Sequence, residues 1–285
     1  MRSLNFPVPF TKMSGTGNDF IIIDHRKPVI ADEDIPAFAK AICRRQFSVG
    51  ADGLILVENH DAANFRWKFY NADGSEAEMC GNGARCVARF AHAKGIAPAR
   101  MEFMTIAGVI EAQVVDGSVK VRLTTPTDTL LDRKIDIQGK TTTIHSINTG
   151  VPHAVHFVDE IRSAPVFEWG RIIRHDPLFQ PAGANVNFVQ IVSRDTLLLR
   201  TYERGIEDET MACGTGAVAS SILAALLGHV EAPVTVTTSG GEQLTIHFSL
   251  DKDVPKDIFL EGPAHFIYEG NLDAEALQEV REPLC

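Results

Sequence analysis

The sequence predicts an α+β protein built from two pseudo-symmetric domains, and three observations predict it. Five short motifs recur in register at a constant offset of 133 residues. Each half carries β-branched runs broken by Gly and Asp-Gly turns, the mark of short strands. Each half also holds one helix led by Cys-Gly, uncharged throughout in the second half. Strands in runs around a single apolar helix fit α+β domains better than an alternating βαβ order.

The repeat is the most informative of the three. Gly17 in GTGNDF falls on Gly150 in NTGVPH, with Thr16 over Thr149. Gly50-Ala51 falls on Gly183-Ala184, and Cys80-Gly81-x-Gly83-Ala84 on Cys213-Gly214-x-Gly216-Ala217. Gly95 and Gly228 close the two following runs, and Thr105 and Gly108 fall on Thr238 and Gly241. A late segment, VRLTTP, pairs with IFLEGP at an offset of 137, so a few residues were inserted between. One matching Gly would mean little; five motifs in register imply two copies of one fold.

The elements follow in order. In the first half strands are expected at 20–24, 54–58, 65–70, 109–115 and 119–123. The second half offers 154–158, 186–192, 197–202, 234–238 and 244–248. An amphipathic helix is expected at 35–47, and a looser one at 166–174. The Cys-Gly-led helices should end at Gly95 and Gly228, where a left-handed glycine closes a helix. Residues 124–134, with Pro126 and mixed charge, read as the linker. The expected domains are 1–130 with Cys80 and 131–285 with Cys213, the last strand and tail, from about 265 to 285, packing back on the first.

Composition bounds the function. The chain has 285 residues, 45% apolar and 22% charged, as a globular protein should. Its 27 basic and 37 acidic residues leave a net charge of −10, which argues against a nucleic-acid or anionic-membrane surface. The start, MRSLNFPVPF, lacks the apolar run of a signal peptide, so a cytoplasmic location is expected. The eighteen uncharged residues 211–228 approach membrane-span length, but a helix apolar on all sides also suits a domain interior, which is the expectation here. Five cysteines (Cys43, Cys80, Cys86, Cys213 and Cys285) show no C-x-x-C pair and no zinc-ligand spacing. Reduced thiols and no metal are expected.

The chemistry concentrates at Met79-Cys80-Gly81-Asn82-Gly83 and Ala212-Cys213-Gly214-Thr215-Gly216. In each, a Cys precedes a helix that opens on small or polar residues. Free backbone N–H groups at such a start can hold an anion, and their field should lower the thiol pKa. Two such sites, one per domain, suit a cleft in which two thiols flank one carbon. One thiolate would remove a proton and the opposite thiol would return one, inverting that carbon with no cofactor. A dithiol redox protein and an amino-acid-binding module stay open at this point. Cys43 and Cys86, alone in apolar runs, read as packed core thiols.

The strings KMSGTGNDF, GADGLILVE, FYNADGSEAEMCGNGARC, NTGVPHAV, GANVNFVQ and YERGIEDETMACGTG, in that order, resemble the diaminopimelate epimerase family along nearly the whole chain. The resemblance implies two mainly antiparallel, barrel-like domains, each wrapped round a central helix, in a homodimer. It also implies interconversion of LL- and meso-diaminopimelate for lysine and cell-wall synthesis, without pyridoxal phosphate or metal. Matched residue by residue, Cys80 and Cys213 stand at the catalytic pair. Gly81, Asn82, Gly214 and Thr215 stand at the helix starts that hold the reacting carboxylate. Asn18, Asn71, Asn185, Glu203 and Arg204 stand at the polar groups that fix the substrate, and His153 and Glu203 at residues that tune the thiols. Arg204 suits bidentate carboxylate recognition, whereas each Asn taken alone would read as a turn residue. One departure is Val151, where many relatives carry Asn. A related racemase of another amino acid is therefore the alternative reading.

Overall fold

The computed structural model describes residues 4–278, which fall into two compact units, 4–121 with 263–278 and 122–262. The first unit opens with β1 (Val8–Gly15), β2 (Asn18–Asp24), helix α1 (Ile35–Ile42), β3 (Gly53–Glu58) and β4 (Phe65–Asn71). Helix α2 (Gly81–Ala93), β5 (Arg100–Thr105), β6 (Gly108–Val115) and β7 (Ser118–Arg122) follow. The second unit starts with β8 (Thr127–Ile137), β9 (Lys140–Asn148), β10 (Pro152–Phe157), helix α3 (Val166–Arg174) and β11 (Asn185–Ser193). It continues through β12 (Thr196–Glu203), β13 (Asp208–Thr210), helix α4 (Gly214–Leu226), β14 (Val234–Thr237), β15 (Gln243–Asp251) and β16 (Val254–Pro263). β17 (His265–Leu272) belongs to the first unit, where it pairs antiparallel with β1.

The two units share one pairing scheme. In the first the strand order is β17-β1-β2-β3-β4-β5-β6-β7, parallel only at β2–β3 and β4–β5. In the second it is β8-β9-β10-β11-β12-β14-β15-β16, parallel only at β10–β11 and β12–β14, with β13 added beside β12. A parallel pair needs a crossover, and helices supply all four. α1 and α3 bridge one parallel pair in each unit, α2 and α4 the other. α2 packs on β1, β2 and β3 and also on β6, so the sheet curls around it. α4 touches β9 to β12, β14 and β15 in the same way. Each unit is thus a mainly antiparallel, barrel-like sheet around a central helix.

The interior explains why α4 is apolar. Ser220, Ser221, Ile222, Leu223 and Ala224 of α4 are buried in succession, so α4 is a domain-interior helix. Burying a side chain such as Ile222 or Leu223 contributes about 1.5–3 kcal/mol. Around α2, Trp67 is buried with Phe65 and Phe103, whose rings stack at 4.9 Å. Both central helices close alike. Gly95 N–H donates to His92 O and Ile96 N–H to Ala91 O; Gly228 N–H donates to Ala225 O and His229 N–H to Ala224 O. Both glycines are left-handed, at φ 67° and 76°, the conformation this cap requires.

Three expectations change. Residues 124–134 are not a linker, because β8 begins at Thr127 and pairs with β9. The unit boundary lies at 121/122, so the expected cut at 130/131 falls inside β8. The helix expected at 35–47 stops at Ile42, and a left-handed φ of 71° at Gln46 keeps it from reaching 47. Cys285 and the rest of 279–285 lie outside the described residues.

Candidate active site

Each unit offers one thiol at the same local position. Cys80 is the N-cap of α2, in extended backbone at φ −147°, and its Sγ accepts from the Gly83 N–H at 3.4 Å. Cys213 caps α4 at φ −128°, with its Sγ 3.6 Å from Thr215 Oγ1. An N-cap side chain faces the unpaired N–H groups of the first turn, so both sulfurs lie where an anion is favoured.

Desolvation nevertheless wins over that field. Burial pushes the Cys80 thiol up, although the N–H groups of Gly83 and Asn82 and the charge of Arg85 pull it down. Burial and then the Glu203 charge push Cys213 up to about 11, against the Thr215 hydroxyl and the Gly216 and Thr215 N–H groups. The expectation that the helix starts leave both thiols acidified is corrected. The backbone donors act in the expected direction, but removal from water costs the thiolate more.

In the first unit a polar chain runs from the helix start. Asn82 Nδ2 donates to Asn18 Oδ1 at 2.7 Å, and Asn18 Nδ2 donates to Asp52 Oδ2 at 3.0 Å. Arg85, fully buried, donates to Asn82 Oδ1 at 2.8 Å and to Thr16 Oγ1. A guanidinium in the interior must be matched by acceptors, and here it fixes the Asn82 amide so that its NH2 faces Asn18. Gly81 has open space where a Cβ would stand. Asn71 lies opposite Gly53, next to Asp52, but its Nδ2 donates elsewhere, to Ser75 Oγ at 3.0 Å.

The second unit collects the other predicted residues. Asn185 Oδ1 accepts the Arg204 N–H at 2.8 Å, and Arg204 Nη1 donates to Ala182 O at 3.3 Å. Burial raises the Glu203 carboxyl, whose charge in turn reaches Cys213. Thr215 supports its own turn, its carbonyl accepting from Thr149 Oγ1 at 3.2 Å. His153 is fully buried beside Asn187, 3.1 Å from its Nδ2, and burial followed by the Arg204 charge pushes the imidazole down to about 3. Burial thus favours the neutral ring.

Sequence reasoning missed Asp52, Arg85, Asn187 and Thr201. Asp52 was findable, because it is the repeat mate of Asn185. Asn187 carried a weaker signal. It lies two residues beyond Asn185 on a strand, hence on the same face, and an Asn repeated on a buried face needs a reason. Arg85 had only the oddity of a charge in an apolar helix.

Across the repeat the same positions have diverged in chemistry. Asn18 falls on Val151, Tyr70 on Glu203, Asn71 on Arg204 and Phe20 on His153. The thiol cap stayed and its surroundings differentiated. Such an arrangement gives two proton-carrying groups in different environments, with first-turn N–H donors beside each.

A model of the family described as diaminopimelate epimerase matches residues 10–128 and 145–267. The diaminopimelate epimerase of Aquifex aeolicus (strain VF5) is 46% identical, with 94% of this chain and 99% of that one covered. That of Methanocella arvoryzae is 40% identical, with 94% and 98% covered. Among solved structures, the Bacillus anthracis phenazine biosynthesis protein of the PhzF family matches with a TM-score of 0.72 at 15% identity, covering 94% of this chain and 99% of that one. A hydroxyproline epimerase from Agrobacterium vitis, with bound trans-4-OH-L-proline, matches with a TM-score of 0.63 at 14% identity, covering 97% and 96%. At such identities these two share the fold alone.

Proposed function

Since this chain belongs to the diaminopimelate epimerase family, we propose that it interconverts LL- and meso-diaminopimelate, drawing one thiol from each unit. The observation that carries the reading is the matched position of Cys80 and Cys213, each capping the central helix of its unit. One sulfur, as thiolate, takes the α-proton and becomes a thiol. The other, as thiol, gives its proton to the opposite face and becomes the thiolate. Charge and atom count are unchanged while the configuration inverts.

The residues support each part of that cycle. Backbone N–H groups at Gly81, Asn82, Gly214 and Thr215 suit the substrate carboxylate and the charge that develops on it. Arg204 matches the distal carboxylate as a fork of donors, and Asn18, Asn71 and Asn185 offer donors and acceptors to the remaining ammonium and carboxylate groups. Glu203, whose charge acts on Cys213, is the group we assign to tune that thiol. His153 tunes the site from its buried position. The cycle uses only groups of the chain, so neither pyridoxal phosphate nor a metal is required by it.

The reading brings a cytoplasmic homodimer that serves lysine and cell-wall precursor synthesis. Exposed Phe266, Ile267 and Tyr268 on β17 leave apolar surface that suits a protein interface. Among the described residues no helix is long and apolar enough to cross a membrane.

Incubation with diaminopimelate in deuterated water, followed by NMR, tests the function. Epimer interconversion with deuterium entering the α-position is expected. Binding without exchange would leave an amino-acid-binding module, and exchange only with another amino acid would leave a related racemase. Turnover of disulfides alone would leave a dithiol oxidoreductase.

A further inference from the structure

Asn187 is fully buried in β11, and its amide has only one orientation that satisfies its neighbours. One end lies 3.0 Å from Ala154 O, a carbonyl that can only accept, so that end is the NH2. The other end accepts from Thr201 Oγ1 at 3.0 Å, as an oxygen should. The same NH2 lies 3.1 Å from His153 Nδ1. An amide NH2 only donates, so Nδ1 must present its lone pair. In a neutral imidazole the proton then sits on Nε2, and protonating Nδ1 as well would set one N–H against another.

We infer that Asn187 fixes His153 as a neutral imidazole with its proton on Nε2, so that His153 serves the site as a hydrogen-bond donor and not as a base. Its use in catalysis rests on the epimerase reading; the tautomer itself does not. His153 Nε2 is buried and has no hydrogen-bond partner among the described residues. A buried donor left without an acceptor is costly, and an anion reaching it relieves that cost. Arg204 adds positive charge to the same surroundings, which favours an anionic acceptor further. Asn187 is a positioning residue, acting through the ring it orients. Gly216 is part of the device. A Cβ there would run into Asn187 Oδ1, so the bare glycine lets the amide lie against the first turn of α4, three residues after Cys213.

The test is a two-bond proton–nitrogen NMR correlation on imidazole-labelled protein without substrate, with the His153 signals assigned by their loss in His153→Gln. A pyridine-like Nδ1 and a protonated Nε2, unchanged across the neutral range, are expected. A proton on Nδ1, or a charged ring, would overturn the inference. Asn187→Asp puts an acceptor opposite Nδ1, and it should draw the proton there or charge the ring. Epimerisation should then slow by roughly tenfold in kcat, the loss of one useful hydrogen bond, in protein still folded at the assay temperature although Asp meets Ala154 O with an acceptor and lowers the melting temperature. An Asn187→Asp enzyme with the wild-type tautomer and rate would equally overturn it. Should that variant not fold, the wild-type spectrum decides alone. Failure to epimerise diaminopimelate would sink the functional reading and leave the tautomer standing.

Discussion

Asn82 donates to Asn18 across 2.7 Å, and that bond fastens the first turn of α2 to the start of β2. Asn18 is also bound to Asp52, so its amide is held from both ends. Asn18→Ala should therefore lower stability by about 1 kcal/mol, the net worth of one such hydrogen bond. Activity should fall further than stability, because the helix start proposed to hold the carboxylate loses its anchor. Denaturant titration beside steady-state kinetics checks this, and unchanged values in both would show the tie to be idle.

Gly83 and Gly216 occupy the same repeat position but should tolerate alanine differently. A Cβ at Gly83 would stand 3.3–3.5 Å from Ile55, Trp67 and Phe20 side-chain atoms, a tight but movable setting. At Gly216 it would meet Asn187 Oδ1 and come within 3.3 Å of Cys213 Cβ. Gly83→Ala should shift stability by less than about 1 kcal/mol, helped by the better helix propensity of Ala. Gly216→Ala should cost about 1–3 kcal/mol and most of the activity. Equal melting curves for the two variants would refute the packing argument.

The Cys213 thiol should respond to Glu203. The carboxylate raises that thiol, so Glu203→Gln should lower its pKa from about 11 and let alkylation by iodoacetamide begin at lower pH. Cys80, in the other unit, serves as the internal control by peptide mapping. The linkage has a definite sign. The folded thiol stays protonated up to about 11, against an ordinary value of 9.0, so the stability it contributes is complete below about pH 9 and is lost as pH rises toward 11. Cys213→Ala should flatten the alkaline fall in melting temperature over that window.

Two-base chemistry predicts mirrored variants. Cys80→Ala and Cys213→Ala should each abolish net inversion, since every turnover needs both groups. Each should still abstract the proton of the one epimer that faces its surviving thiol. With an analogue bearing a leaving group at the β-carbon, this shows as elimination from opposite epimers. One variant dead with both epimers and the other nearly normal would refute the mechanism.

Much of the fold was legible because the repeat preserved what backbone geometry demands. Gly50 and Gly183 both sit at left-handed φ, 73° and 70°, where a side chain is strained. The central helices announced themselves through their Cys-Gly starts and glycine ends. β8 did not, because nearly all of it is exposed, and a strand with no buried face shows no alternation of apolar and polar residues. β17 was expected only as a last strand somewhere after about 265, because most of its residues lie at the surface and give no alternation to bound it. The site was legible where a motif carried it. It was hidden where a single buried polar residue, Asn187, meets neighbours that are distant in sequence, and where Arg85 lies inside a helix with no motif to mark its role.

The return of β17 to β1 also sets an order of events during synthesis. Residues 122–262 are contiguous, so the second unit can close as soon as β16 has left the ribosome. The first unit is made earlier and finishes later, because β1 keeps an unpaired edge until His265–Leu272 arrives. Until then that edge is open to chaperones or to another nascent chain. A premature stop or a proteolytic cut just before residue 263 therefore harms the half of the molecule that was translated first, although it removes nothing from the half beside the break.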